Sequence, residues 1–193
     1  MMTEPPNDKR QQIIDAAEVL IAEVGFQGLS MQKVACRANV AAGTIYRYFT
    51  DKDHLLREVR FNVVKRVAKV VQAGVSRDMP LKQRFRIMWL NIWNIKSSNV
   101  AIISNRMQYE SLPCPIDSET RALERELFVE INRLFDEGRE QGLFKPLDNE
   151  VLGGLTFEAC LVMAKKHAMG LYQLDEEQLE MAIEASWDAI IKH

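Results

Sequence analysis

The chain has 193 residues, of which 47% are hydrophobic and 27% charged, ordinary values for a globular protein with a sizeable core. No apolar run reaches the roughly 18 residues a membrane span needs, and Met1 to Asp8 lack the basic-then-apolar order of a signal peptide. An odd set of cysteines at irregular spacing (Cys36, Cys114 and Cys160) argues against a disulfide framework and against a zinc site. A reducing cytoplasm is therefore the expected location, with no membrane, metal or cofactor.

The net charge of −2 hides an asymmetry. Residues 1–74 hold 11 Lys/Arg against 8 Asp/Glu, a net of +3, which leaves −5 for residues 75–193. A modest basic excess directs attention to the first part of the chain.

The predicted elements are helical throughout. From Asp8 to about Gly25, Ile13, Ala16, Ala17, Leu20, Ile21 and Val24 recur in steps of three and four, one face of a helix. Gly25 supplies a C-terminal stop. Ser30 is an N-cap for a short second helix to about Arg37, buried through Met31, Val34 and Ala35. Ala38-Asn39-Val40 reads as a tight turn, and a third helix runs from about Ala41 to Tyr48. Thr50-Asp51-Lys52-Asp53 resembles a capping box. It opens a fourth helix, to about Val75, through Leu55, Leu56, Val59, Val63, Val67 and Val70.

Beyond Pro80, helices are predicted at about 80–96, 98–111, 117–141, 148–170 and 175–191. Pro113-Cys114-Pro115 cannot continue a helix. Gly142 to Pro146 is a second interruption, with Asp148 as a cap candidate, and Gly170 and Asp175 separate the last pair. No segment alternates as a strand would, and there is no internal repeat. The expected fold is all-α with about nine helices. Residues 1–55 form a three-helix helix-turn-helix domain, the fourth helix (about 52–75) is a link, and residues 56–193 form a larger helical bundle.

Short helices joined by a tight turn, with the first helix behind them, describe a helix-turn-helix whose second short helix enters the DNA major groove. In Ala41-Ala42-Gly43-Thr44-Ile45-Tyr46-Arg47-Tyr48-Phe49, the apolar Ile45 and Phe49 are four apart and face inward, while Thr44, Arg47 and Tyr48 can project outward. Gly43 lets the backbone approach a partner closely. Read singly, Tyr46 and Tyr48 are as consistent with core aromatics, and Arg47 with a solvated charge; Lys33 and Arg37 read as surface residues. The joint pattern is what distinguishes the motif.

That pattern, from Val34-Ala35 through Val40 to Leu55, resembles the signature of the tetracycline-repressor (TetR) family. Its Gly-Thr-Ile-Tyr-x-Tyr-Phe-x-x-Lys-x-x-Leu core stands here as Gly43 to Leu55, and the resemblance covers about residues 9–56. It implies a dimeric repressor that binds a double-stranded, pseudo-palindromic operator. Tyr46 and Lys52 resemble the family's phosphate contacts, and Ser30 and Thr44 suit phosphate hydrogen bonds. Gln32, Lys33, Ala41, Ala42 and Gly43 complete the expected DNA-binding surface, with Arg47 and Tyr48 placed to reach bases. An arginine suits bidentate bonding to a guanine edge. Many members carry Ser-Lys where this chain has Ala41-Ala42, which removes a charge and leaves methyl groups able to pack on thymine.

For the larger domain the resemblance implies a small-molecule effector, apolar or amphipathic. Most of its large apolar residues belong to a core, but Trp89, Trp93, Met107, Tyr109, Phe128 and Met163 are expected to line a ligand pocket. Glu110 and His167, with Asn91 and Gln108, are the polar candidates for orienting a ligand. The last two helices are expected to form the homodimer interface. Gly153, Gly154, Ala159 and Ala164 would allow close approach, and Leu161, Ala182, Ala185, Trp187 and Ile190 would supply apolar area. Ligand binding would shift the fourth helix and so the spacing of the recognition helices.

No nucleophile–base pair, metal spacing or phosphate-cradling loop is present, and His54, His167 and His193 belong to no constellation, so an enzyme is not expected. A redox-responsive regulator acting through Cys114, and a DNA-binding protein without an effector, remain as alternatives.

Overall fold

Apolar spacing and caps place the helix ends within about four residues of expectation, with one expected helix divided in two. The structure is a computed structural model that describes residues 6–98 and 118–193. Met107, Gln108, Tyr109, Glu110, Cys114 and the helix expected at 98–111 lie outside the described residues. The described chain divides into two compact units, the first ending at Arg66 and the second beginning at Val67.

In the first unit, α1 (Pro6–Gly28) buries Ile13, Ile14, Ala17 and Ile21. Gly25 does interrupt it, at φ 68° and ψ 177°, but the chain turns helical again and ends three residues later than expected. Only glycine adopts such a conformation at little steric cost. Helix α2 (Met31–Arg37) is capped by Ser30, whose Oγ accepts from the Lys33 amide at 3.3 Å. Asn39 forms the turn at φ 52°, a left-handed conformation that asparagine tolerates.

Helix α3 (Ala42–Tyr48) starts one residue later than predicted, with Ala41 at the N-cap and no side-chain cap bond. Ile45 and Phe49 are fully buried beneath it. Helix α4 (Lys52–Val71) has the predicted start by a different device. Asp51 Oδ1 accepts from the His54 amide at 2.7 Å, and His54 Nδ1, not Asp53, returns the bond by accepting from the Thr50 amide at 3.3 Å. The cap holds the Asp51 carboxyl below its usual range, chiefly through the His54 amide.

In the second unit follow α5 (Leu81–Ser98), α6 (Ser118–Leu127) and α7 (Val129–Glu140). Helix α8 (Asn149–Gly153) passes through a π turn (Gly154–Glu158) into α9 (Ala159–Ala168), and α10 (Glu176–Asp188) ends the series. Asp148 occupies the N-cap of α8, but its side chain accepts no cap bond. Asp175 does cap α10, in a reciprocal box with Gln178. The single helix predicted at 117–141 is broken at Phe128, which lies at φ −97° and ψ 43°.

The core of this unit is aromatic. Phe85 packs on Phe157 and Trp187, each with ring centroids 5.2 Å away, and Phe144 closes on Trp187 at 5.3 Å. A short antiparallel bridge between Phe144 and Ile191 pins the C-terminus, with Lys145 N–H donating to the Ile190 carbonyl at 2.8 Å. Trp187, Ile190 and Ala164 are therefore buried within the protomer, a correction to their predicted place on a dimer surface.

Candidate nucleic-acid interface

The sequence of α3 separates its faces cleanly. Ile45 and Phe49 anchor it, Thr44 and Tyr48 are half-buried at its flanks, and Ala42, Gly43, Tyr46 and Arg47 share the outward side. Tyr46 is 56% exposed, unusual for a large aromatic ring. Arg47 is exposed and has no ion-pair partner among the described residues. A Cβ built on Gly43 meets nothing within 4 Å, so the fold itself has room for a side chain there. Among the described residues, neither Tyr46 nor Arg47 has a hydrogen-bond or ion-pair partner.

Lys33, read from the sequence as a surface residue, and Lys52, read as a phosphate contact, are both tethered. Lys33 Nζ donates to the Gly28 carbonyl and Lys52 Nζ to the Phe26 carbonyl, each at 2.8 Å. Those carbonyls lie in the segment of α1 that follows the Gly25 kink, where helix-end acceptors lack intrahelical donors. Each ammonium group keeps further donors for a phosphate. Ser30 spends an Oγ lone pair on its cap and keeps its hydroxyl proton to donate. Gln32 is exposed beside Lys33 on α2.

Several contacts that hold this surface were missed in the sequence. Arg37 forks onto Glu23 at 2.9 and 2.8 Å, tying α2 to α1. That fork holds the Glu23 carboxyl below, and the Arg37 guanidinium above, their usual ranges. Arg10 pairs with Glu58 at 2.6 Å and lies 5.5 Å from the centre of the Phe49 ring. His54 meets the same ring edge-on at 5.5 Å. Apart from His54 and Phe49, these partners stand 14 to 48 residues apart and carry no local spacing signal.

In the second unit, the residues assigned to a ligand site are partly brought together. Trp89 stacks on Trp93 with centroids 5.7 Å apart, and Trp93 lies 5.0 Å from His167. Trp89 is fully buried, with its indole N–H on Ser186 Oγ at 3.2 Å. His167 Nδ1 accepts from the Leu174 amide at 3.1 Å, which leaves the ring half-buried against the loop that follows α9. Met163 is half-buried, and its carbonyl accepts from Tyr172 Oη at 3.2 Å, a residue the sequence did not single out. Phe128 is half-buried at the α6–α7 break. Asn91 is not free to orient a ligand, because its Nδ2 donates to the Val71 and Ala73 carbonyls, each at 2.9 Å, and caps the end of α4. Cys160 lies beneath Trp89, where burial pushes its thiol pKa up.

Comparison with known proteins places this geometry. Residues 13–59 match the bacterial regulatory proteins of the tetR family, and residues 80–191 match the tetracyclin repressor-like C-terminal domain. The chain belongs to the TetR family of transcriptional regulators. Its members are DNA-binding regulators rather than enzymes. An uncharacterised helix-turn-helix-type transcriptional regulator of Haemophilus influenzae is 34% identical over 193 residues, 99% of this chain and 100% of that one. A solved TetR-family protein from Vibrio parahaemolyticus is 66% identical, with a TM-score of 0.85 over 96% of this chain and 100% of that one. The solved Haemophilus influenzae regulator has a TM-score of 0.77 at 34% identity, covering 96% of this chain and 98% of that one. The helix-turn-helix is thus α2–α3, and the larger domain is of the type found at the C-terminus of this family. No helix among the described residues is long and apolar enough to cross a membrane.

Proposed function

We propose that this TetR-family regulator is a repressor that binds a pseudo-palindromic operator as a dimer and releases it when a small, largely apolar or amphipathic effector binds the second domain. The carrying observation is the outward side of α3, where Gly43, Tyr46 and Arg47 stand exposed. In this reading Arg47 reads a base edge and Tyr46, Thr44, Ser30, Lys33 and Lys52 contact the backbone, which positions the helix without specifying sequence. Gln32, Ala41, Ala42 and Tyr48 complete the contact surface.

A stripe of exposed apolar residues along α8 and α9 favours dimerisation. Val151, Leu155, Val162 and Met169 follow one another at near-helical spacing and are 45–64% exposed, with Met181 of α10 at 57%. The effector reading rests on the Trp89–Trp93–His167 cluster with Met163 at its side, an apolar set with a polar edge. Met107, Tyr109, Glu110 and Phe128 stay in it as proposed lining residues. Repression controlled from the cytoplasm is the setting this implies.

The test is selection from a pool of randomised duplexes by the full chain, followed by mobility-shift titration. Enriched inverted half-sites spaced by a helical turn or more are expected. Arg47→Ala would relax preference at one position of each half-site, by about 1–3 kcal/mol of discrimination. Failure to enrich any sequence overturns the reading. Stearoyl-CoA, held by the FadR regulator of Bacillus subtilis, serves as a first probe of the effector class. If it binds this chain and leaves operator affinity unchanged, that class is excluded as the releasing ligand.

A further inference from the structure

The break between α6 and α7 has no cause in its own sequence. Phe128, between Leu127 and Val129, interrupts the helix, and neither proline nor glycine stands within nine residues of it on either side. Sharp interruptions ordinarily trace to those residues, or to a group inserted into the hydrogen-bond ladder. Here a group is inserted. The side-chain amide of Gln72 donates from Nε2 to the Leu127 carbonyl at 2.8 Å and accepts at Oε1 from the Glu130 amide at 2.7 Å. One planar amide thus satisfies an acceptor at the end of α6 and a donor at the start of α7. Asn132 Nδ2 takes up the Arg125 carbonyl at 3.0 Å.

Gln72 directly follows the last residue of α4. Its Nε2 also donates to the Ala68 carbonyl at 2.9 Å, one turn back on that helix. The end of α4 is held further by Asn91 at the Val71 and Ala73 carbonyls. The inserted amide is therefore fastened to the end of the helix whose first residue, Lys52, bonds to the Phe26 carbonyl in the DNA-binding unit.

We propose that α6–α7 is a two-state helix and that Gln72 is the latch of its broken state. Without the latch, the Leu127 carbonyl and Glu130 amide have an alternative, the bonds of an uninterrupted helix, which no glycine or proline in this segment prevents. Engaging the latch breaks the helix and joins it to the end of α4; releasing it closes the helix and frees that end. Gln72 is a positioning residue, and any ligand that binds one helix state better biases the other end of α4 through it. The DNA arm of the test rests on the DNA-binding reading above.

Hydrogen exchange of residues 127–132, followed in the full chain by mass spectrometry, tests the latch. Gln72→Met keeps the length of the side chain and removes its amide. The variant is expected to exchange more slowly over this segment, by about fivefold, as the helix closes on itself. Equal or faster exchange overturns the proposal. In the wild type, saturation with a duplex recovered from the randomised pool is expected to change the same segment by about fivefold, within ordinary coupling energies. In Gln72→Met that response should vanish; its persistence, or its absence from the wild type, also overturns the latch. Gln72→Glu, which keeps the acceptor and loses the donor, carries the same comparisons if the methionine variant does not fold. If no duplex is recovered at all, the DNA-binding reading fails, and the exchange of Gln72→Met against the wild type alone decides the latch.

Discussion

Two glycines show how one residue type can answer opposite demands. Gly138 lies in the last turn of α7, and a Cβ placed there would clash with the Phe144 ring. That ring is wedged against Phe135 and Trp187 and has nowhere to move. Gly138→Ala is therefore expected to destabilise the protein by about 1–3 kcal/mol through overpacking, despite alanine's better helix propensity. A lowered unfolding temperature is the readout, and an unchanged one would refute the wedge. Gly43 has no such neighbour. Gly43→Ala should raise helix stability by up to about 1 kcal/mol and weaken operator binding, because the added methyl meets only what approaches from outside. Stability and affinity moving in the same direction would count against that explanation.

At the level of elements, charge ties α5 to α7 in a way that pH can probe. The Arg84 guanidinium is buried and forks onto Glu137, which is 36% exposed. The hydrogen bond from Arg84 holds the Glu137 carboxyl below the ordinary 4.5. A carboxyl whose folded pKa is depressed contributes stability that is fully present above its unfolded value and is lost as pH falls through the folded one. Glu137→Gln should therefore be less stable than the wild type at neutral pH, by about 1 kcal/mol given the exposure of the carboxylate. The gap should close as pH falls below the ordinary value. Urea unfolding at several pH values measures it, and a gap independent of pH would place the loss in packing instead.

Elements of this kind also mark what the sequence made legible. Ser30, Asn39 and Asp175 act within a few residues of themselves, so their roles were readable from local chemistry. The outward and inward faces of α3 followed from helical spacing. Lys52, Asn91 and Gln72 were not readable in the same way. Each is a polar side chain that binds a backbone group 18 to 58 residues away. The break at Phe128 belongs with them, since its cause sits in another helix. The placement of Trp187 and Ile190 failed for a related reason. Apolar periodicity identifies a buried face but does not say whether the partner is the same chain or a second copy.

That ambiguity is where the whole molecule can be tested. Ala164 of α9, Trp187 of α10 and Ile190 just beyond it fill the protomer's own core, while Val162 is 45% exposed beside Leu155 and Met169. Replacing Trp187 would remove core volume, at a cost of about 3–5 kcal/mol, and any loss of dimer would be confounded with unfolding. Val162→Glu avoids this, since a charge at an exposed position leaves the protomer core intact. If α8 and α9 carry the dimer, a glutamate facing its symmetry mate places like charges within an apolar patch. Light scattering should then report a monomer whose unfolding temperature no longer rises with protein concentration. Each recognition helix would be left to bind its half-site alone, and operator affinity should fall by about a hundredfold or more as the second contact ceases to be intramolecular. A variant that remains dimeric and binds DNA as before would move the dimer surface to another face of the domain and leave the exposed stripe without its proposed occupant.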